Sequence, residues 1–116
     1  MSVTSHQRGD VMIVTPQNHF DTNSAPEVER IMMEHIERGE RKIVLDLSQI
    51  SYISSIGLRV ILKAVMTMSR TGGRVVLSGG NDHVRTVLQL SGAMVMSLHA
   101  STLEDAISKV FMCYCY

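Results

Sequence analysis

Residues 43–62 read IVLDLSQISYISSIGLRVIL, and this stretch decides the fold of the chain. It begins as a short run of apolar, largely β-branched residues that ends near Asp46, which is typical of a buried strand. After a polar connection over 48–53, apolar residues recur at helical spacing from Leu58 onward. The stretch therefore predicts a strand over 43–47, a loop, and a central helix from about Ser55 to Arg70.

The residues before this stretch predict a β-hairpin followed by a helix. Apolar runs near 3–6 and 11–15 flank a turn at Arg8-Gly9-Asp10, and residues 16–21 read as a connection. Ser24 and Glu27 have the spacing of a capping box, so they predict the start of a first helix, which Gly39 ends.

The residues after the central helix predict two further strand–helix pairs. A strand over 74–78 leads through a glycine-rich turn at 79–82 into a short helix that Gly92 ends. A last strand over 93–98 precedes a final helix, for which residues 101–104 form a second capping box.

This element order predicts one α/β domain over residues 1–116. An opening hairpin followed by alternating strands and helices favours a mostly parallel, mixed sheet of about five strands with about four helices against it. The length suits one ordinary core, and we expect residues 112–116 to form a poorly ordered tail.

Composition limits the classes of function. The chain has 116 residues, 11 basic and 11 acidic side chains, so its formal charge of zero gives no general attraction to nucleic acid. We also expect no exposed aromatic platforms for bases. No apolar run approaches the roughly 20 residues of a membrane span, and the N-terminus lacks the features of a signal peptide. We expect a cytoplasmic protein.

Metal and cofactor chemistry have little support in the sequence. Cys113 and Cys115 have a C-x-C spacing, but there is no other cysteine, and the five histidines form no ligand pattern. We expect no cofactor and no metal site, and a tail in which the two cysteines have no function.

Catalysis is equally unsupported. Asp46 ends a predicted central strand and Ser55 follows nearby, so a serine nucleophile is conceivable. However, the chain has no G-x-S-x-G elbow, P-loop or G-x-G-x-x-G motif, and no histidine is placed to act as base. We therefore predict a protein that is not an enzyme.

Ser54 and Ser55 lie where the central helix begins. Side chains at this position stand beside free backbone N–H groups and the positive end of the helix dipole. Both an external anion and a phosphate attached to a serine would be favoured there. The alternative is that the two serines are ordinary helix caps.

The predicted central helix has a basic face. At about 100° per residue, Arg59, Lys63, Met66 and Arg70 project from one side. The apolar residues Leu58, Ile61, Leu62 and Val65 project from the other side, toward the sheet. The basic face is either a solvated surface or a docking surface for an acidic partner.

The motif around this helix start resembles that of a known family. Asp46-Leu47-Ser48, followed by Tyr52-Ile53-Ser54-Ser55-Ile56-Gly57-Leu58, is similar to the signature of STAS domains, above all of stand-alone bacterial anti-sigma factor antagonists. The resemblance extends over nearly the whole chain. It includes the approach through Phe20-Asp21 and the glycine-rich connection after Ser78.

The resemblance implies a regulator that binds an anti-sigma factor, often itself a serine kinase, and so releases a sigma factor for transcription. It implies phosphorylation at Ser55, with Ser54 as the competing acceptor, and a phosphatase that reverses it. Ser54 stands where the family commonly has aspartate, and Ile56 where serine or threonine is frequent. Together with the basic face of the central helix, the expected partner-binding residues are Asp21, Ser54, Ser55, Ile56, Gly57, Arg59, Lys63, Met66 and Arg70. We expect a monomer or weak dimer.

A second hypothesis remains open at this point. The substitution at Ser54 and the apolar Ile56 are compatible with a STAS protein that is not phosphorylated. Such a protein would serve as a structural subunit of a lipid-transport complex or a stress-signalling scaffold.

Overall fold

The computed structural model describes residues 3–93 and 97–111. The strands in this part of the chain are β1 (Val3–Arg8), β2 (Val11–Pro16), β3 (Asn18–Phe20), β4 (Lys42–Asp46), β5 (Ile50–Ile53), β6 (Arg74–Ser78) and β7 (Leu98–Ala100). The helices in the same part of the chain are α1 (Ala25–Glu37), α2 (Ser55–Arg70), α3 (Asp82–Ser91) and α4 (Leu103–Val110).

A five-stranded mixed sheet forms the centre of the domain, in the order β1-β2-β4-β6-β7. The opening strands β1 and β2 form an antiparallel hairpin, whereas β2, β4, β6 and β7 run parallel to one another. This arrangement confirms the predicted class, which is an opening hairpin followed by alternating strands and helices.

Helices cover both faces of this sheet, which explains why its inner strands are apolar throughout. Leu45 and Leu77 pack into the larger core beneath α1, α2 and α3. Their neighbours Val44 and Val76 point the opposite way, into a smaller core beneath α4. All four side chains are buried, so β4 and β6 are fixed between two layers of helices.

Two predicted connections contain short strands instead. The expected loops over 16–21 and 48–53 include β3 and β5, which pair in parallel to form a separate two-stranded sheet. Strands of three and four residues are too short to show a period in the sequence. Their pairing buries Phe20 and Ile53, two residues that the local pattern did not distinguish from loop.

The start of α1 directly after Ser24 is confirmed, but the side-chain cap by Ser24, the second capping box and the start of the last strand differ from the prediction. Ser24 forms no side-chain cap on α1, because its Oγ donates to the His19 carbonyl at 2.7 Å and accepts from the Asp21 N–H at 3.1 Å. The cap of α4 is Thr102, whose Oγ1 accepts from the Asp105 N–H, so the predicted box at 101–104 is displaced by one residue.

The last strand begins at Leu98 and not at residue 93, because Ala93 packs in the larger core and its carbonyl accepts from the Ser97 N–H. The rest of that predicted strand, residues 94–96, lies outside the described residues, as does the predicted tail 112–116.

One buried group in α1 makes stability depend on pH. His35 is 7% exposed, and neither ring nitrogen has a hydrogen-bond partner. Desolvation, reinforced by the charge of Arg38, lowers the pKa of His35 below its ordinary value of 6.5. The unfolded chain therefore takes up a proton more readily than the native chain does.

We expect the free energy of unfolding to fall as the pH drops below about 6.5, where an unfolded histidine becomes protonated. His35→Leu should raise stability at pH 7 by about 1 kcal/mol, because it removes two unpaired polar atoms, and should reduce this pH dependence. Urea titrations at pH 5, 6 and 7 measure both effects. Equal pH dependence in the variant and the unaltered chain would contradict the assignment.

Candidate functional site

The start of α2 is held by Ser54. This residue is the N-cap, with an extended backbone, and its Oγ accepts from the Gly57 N–H at 3.2 Å. Its own backbone N–H donates to the Phe20 carbonyl at 2.9 Å. These two hydrogen bonds engage both the hydroxyl and the backbone of Ser54 in positioning the helix. The residue is also half-buried.

Ser55 is the first residue of α2 and is exposed. Its hydroxyl has no hydrogen-bond partner among the residues that the structure describes. The first turn of α2 contains no acidic residue, so no side-chain charge within that turn offsets the positive end of the helix dipole. The two adjacent serines thus have different structural roles: Ser54 caps the helix and Ser55 presents a hydroxyl to solvent.

Gly57 allows α2 to approach β3 closely. A Cβ atom at this position would lie 2.5 Å from the Phe20 carbonyl oxygen and 2.9 Å from Phe20 Cδ1, which are distances that atoms do not tolerate. Gly57 is buried and faces the interior of the protein. Because it has no side chain, the first turn of α2, which begins with Ser55, can lie directly against Phe20.

Asp21 follows Phe20 and stabilises the turn before α1. Its Oδ1 accepts from the Asn23 N–H at 3.0 Å and from the Ser24 N–H at 3.4 Å, while its carbonyl accepts from the Ala25 N–H. The side chain is half-buried. Asp21 is next in the chain to Phe20, whose carbonyl accepts from the Ser54 N–H at the start of α2, and one of its carboxylate oxygens is already in use.

The outer face of α2 carries the predicted basic stripe. Arg59, Lys63, Met66 and Arg70 are all exposed, and they line a groove of about 300 Å³. Lys63 Nζ forms an ion pair with Glu29 Oε2 at 3.0 Å, so its charge is balanced by α1.

Neither Arg59 nor Arg70 forms an ion pair within the described residues. Leu62 packs against the larger core, as predicted, and is half-buried because its other side lines the groove.

A cluster of three rings lies beside the helix start and was not predicted. His83 of α3 stacks on Tyr52 with ring centroids 5.3 Å apart and planes at 9°. His19 of β3 meets the same tyrosine edge-on, at 6.3 Å and 88°. Tyr52 remains 45% exposed, so the expectation of no exposed aromatic platform is wrong, and the argument against nucleic acid depends on charge balance alone.

Asp46, which the sequence places near a conceivable serine nucleophile, has a structural role. Asp46 is buried, and its Oδ1 accepts from the Ser48 N–H, so it stabilises the turn after β4.

Within residues 3–93 and 97–111, no three side chains of the types that bind metals come together as a metal site. Helices in the same ranges are too short or too polar to cross a membrane.

These features define a small α/β domain with an exposed hydroxyl at a helix start and an exposed, largely basic helix face next to it. The sequence model of the STAS domain matches residues 2–106, and the chain belongs to this family. A relative from Bordetella bronchiseptica, named BtrV and described as an anti-sigma factor antagonist, is 32% identical over 106 residues, which are 91% of each chain.

Solved structures share the fold. A Thermotoga maritima protein, TM1081, described as an anti-sigma factor antagonist, superposes with a TM-score of 0.88 at 26% identity over 95% of both chains. The anti-sigma factor antagonist SpoIIAA in its unphosphorylated form gives a TM-score of 0.80 at 21% identity, covering 93% of this chain and 95% of that one. At that identity the match to SpoIIAA concerns the fold alone.

The different roles of the two serines can be measured. Ser54→Ala should lower the free energy of unfolding by about 1 kcal/mol, because the cap of α2 is lost. Ser55→Ala should change it by less than about 0.5 kcal/mol, because that hydroxyl has no partner. Urea unfolding compares them directly, and equal losses in the two variants would refute this assignment.

Gly57→Ala should destabilise the domain by about 1–3 kcal/mol, because the new methyl group overlaps the Phe20 carbonyl. At an open position in a helix the same exchange normally stabilises, so the sign of the change is diagnostic. Ser69→Ala, at an exposed site on the same helix, is the control and should be nearly neutral. A Gly57→Ala variant more stable than the unaltered chain would show that the close contact is absent.

Proposed function

We propose that this chain is an anti-sigma factor antagonist whose binding is switched off by phosphorylation of Ser55. It binds an anti-sigma factor that is also a serine kinase, and thereby releases a sigma factor for transcription. The observation that carries this proposal is the exposed Ser55 hydroxyl on the first residue of α2. The name of the Bordetella relative supports the partner class.

Ser55 is a better acceptor than Ser54. A kinase needs a hydroxyl that it can reach and whose oxygen is free to attack. Ser54 is half-buried, and its oxygen already accepts from the Gly57 N–H. Ser55 meets both requirements.

A phosphate on Ser55 would be compatible with the fold. It adds about −1.5 to −2 charges and several strong acceptors at a helix N-terminus, where backbone N–H groups and the dipole favour negative charge. Bacillus SpoIIAA, which has a similar fold, has been solved in a phosphorylated form, with a TM-score of 0.74 to this chain.

The same phosphate would oppose docking. A partner surface that fits a small neutral hydroxyl would have to bury two charges without a counter-ion. An uncompensated buried charge costs on the order of 3–5 kcal/mol, which corresponds to a loss of affinity of hundreds-fold or more. A phosphatase that removes the group restores binding.

The docking surface extends from Ser55 along α2. Ile56 is 37% exposed and Met66 is 44% exposed, and they provide apolar contact area. Arg59 and Arg70 have no acidic partner within the described residues, so they would pair with carboxylates of the anti-sigma factor. The action of the chain is binding, and the chemistry belongs to the kinase and phosphatase.

Incubation with ATP and the purified anti-sigma serine kinase of the source genome should add one phosphate to the chain. We expect Ser55→Ala to remain unmodified and Ser54→Ala, the matched control, to accept one phosphate. Intact mass spectrometry followed by peptide mapping measures both. Transfer to Ser54, or no transfer to the unaltered chain, would contradict the proposed site.

Ser55→Asp should bind the unmodified kinase at least about 100-fold more weakly than the unaltered chain, since its charge imitates part of the phosphate effect. Ser55→Asn, similar in size and neutral, is the control and should retain most of the affinity. Isothermal titration calorimetry in the presence of ADP, which has no γ-phosphate for the kinase to transfer to the unaltered chain, gives both constants. Equal affinities for Ser55→Asp and the unaltered chain would rule out an electrostatic switch and favour a STAS subunit without a phosphorylation switch.

A further inference from the structure

The ring cluster of His19, Tyr52 and His83 is the second candidate binding feature of this domain. We propose that it is an aromatic anchor, which receives an apolar side chain of the anti-sigma factor next to the switch serine. This inference depends on the proposed function for the existence of the partner. It adds a specific contact that the phosphorylation site and the basic stripe do not provide.

The cluster lies directly beside Ser55. His19 pairs with Tyr52 in the β3–β5 register, and Phe20 pairs with Ile53. The next link is the bond from the Ser54 N–H to the Phe20 carbonyl, after which α2 begins at Ser55. Tyr52 and Ser55 are both exposed and only three residues apart, at the point where β5 leads into α2, so a partner that covers the Ser55 hydroxyl would also contact the Tyr52 ring.

A β-bulge in β3 immediately precedes His19. The register of β3 and β5 shifts between Asn18 and His19, and Asn18 has a φ of 63°, in the left-handed region. Two hydrogen bonds hold this bulge, from the Asn18 N–H to the Gln49 carbonyl and from Ser51 Oγ to the Asn18 carbonyl. Bulges of this kind reorient side chains, and here the reoriented side chain is the histidine that contacts Tyr52.

The opposite side of the cluster is fixed by Asn81. Its Oδ1 caps α3 by accepting from the Val84 N–H at 2.9 Å, and its Nδ2 donates to the Ser51 carbonyl at 3.0 Å. Asn81 thus ties the first turn of α3 to β5. This bond maintains the stacking of His83, in that first turn, on Tyr52.

A ring held in this way is suited to binding. Tyrosine that is exposed but already ordered loses little side-chain entropy on contact, and it offers a large apolar face with a polar hydroxyl. Tyrosine is also enriched among the residues that dominate interface energies. Ile56, four residues beyond Tyr52, is also exposed, so the face of the Tyr52 ring and the Ile56 side chain offer apolar area that an apolar side chain of the partner would cover.

The charges near the cluster define the rest of the partner surface. Arg59, one helical turn beyond Ser55, has no ion pair within the described residues. The matching partner surface therefore presents an apolar side chain to Tyr52 and a carboxylate to Arg59, with room between them for the hydroxyl of Ser55.

The test measures binding of the purified anti-sigma serine kinase by calorimetry, with each variant first checked for an unchanged unfolding transition. Tyr52→Ala should weaken binding at least about 30-fold, the scale of a dominant interface residue. His83→Ala should weaken it about three- to tenfold through loss of the stack, whereas His83→Phe, which retains a flat ring, should restore affinity. Phe111→Ala is the control, because it removes another exposed aromatic ring, packed near Lys42 at the far end of the sheet.

The outcomes separate the two proposals. Tyr52→Ala that binds as tightly as the unaltered chain would overturn the anchor and leave the Ser55 switch standing. An equal loss in Phe111→Ala would also overturn it, since the effect would not be specific to the cluster. An unaltered chain that does not bind the kinase at all would overturn both the anchor and the proposed function. If Tyr52→Ala loses stability, binding is measured with Tyr52→Leu, which keeps an apolar side chain and lacks the ring. A stable Tyr52→Leu variant that binds as tightly as the unaltered chain would also overturn the anchor.

Discussion

The approach of Phe20 to Gly57 is the constraint on which the candidate site depends. The Phe20 carbonyl accepts from the Ser54 N–H, and its oxygen occupies the space where a side chain at position 57 would lie. Because Phe20 is fully buried in the larger core, this contact fixes α2 against the interior of the domain. The same contact leaves Ser54 as the cap and turns Ser55 toward solvent. A rigid core contact thus determines which serine is accessible.

The two ends of the domain differ in their electrostatics, although the chain has no net charge. The N-termini of α2 and α3 lie together at the end that carries Ser55 and the ring cluster, joined by the bond from Asn81 to the Ser51 carbonyl. At the opposite end, arginine side chains donate hydrogen bonds to backbone carbonyls near the C-termini of α1 and α4. Arg41 donates to the Ile36 carbonyl after α1, and Arg74 donates to the Lys109 carbonyl in α4. These basic residues have structural partners, whereas Arg59 and Arg70 on α2 have no ion pair within the described residues.

The sequence predicted well those parts of the structure that arise from a repeated local pattern. The bounds of α2 and β6 match the prediction, because a long amphipathic helix has a clear period and a buried strand is a continuous apolar run between turn residues. The helix start that carries the candidate site was predicted by the same means, since it follows from the change of period. The ring cluster could not be predicted in this way, because its histidines lie more than 30 residues from Tyr52 and meet it only through the bulge at Asn18 and the placement of α3. The caps at Ser24 and residue 101 failed for a related reason, as competing hydrogen bonds with nearby backbone groups decided them.

Ser54 stands where the STAS motif that this sequence resembles commonly has aspartate, and this difference bears on the proposed switch. An aspartate cap would place a negative charge at the N-terminus of α2 and would repel a phosphate on the next residue. Ser54 forms the capping hydrogen bond to the Gly57 N–H without that charge, and the first turn of α2 contributes no other acidic side chain. The positive end of the helix therefore remains available to a phosphate on Ser55. Ser54 is therefore compatible with the proposed phosphorylation of Ser55, because it caps the helix without a negative charge that would repel the phosphate.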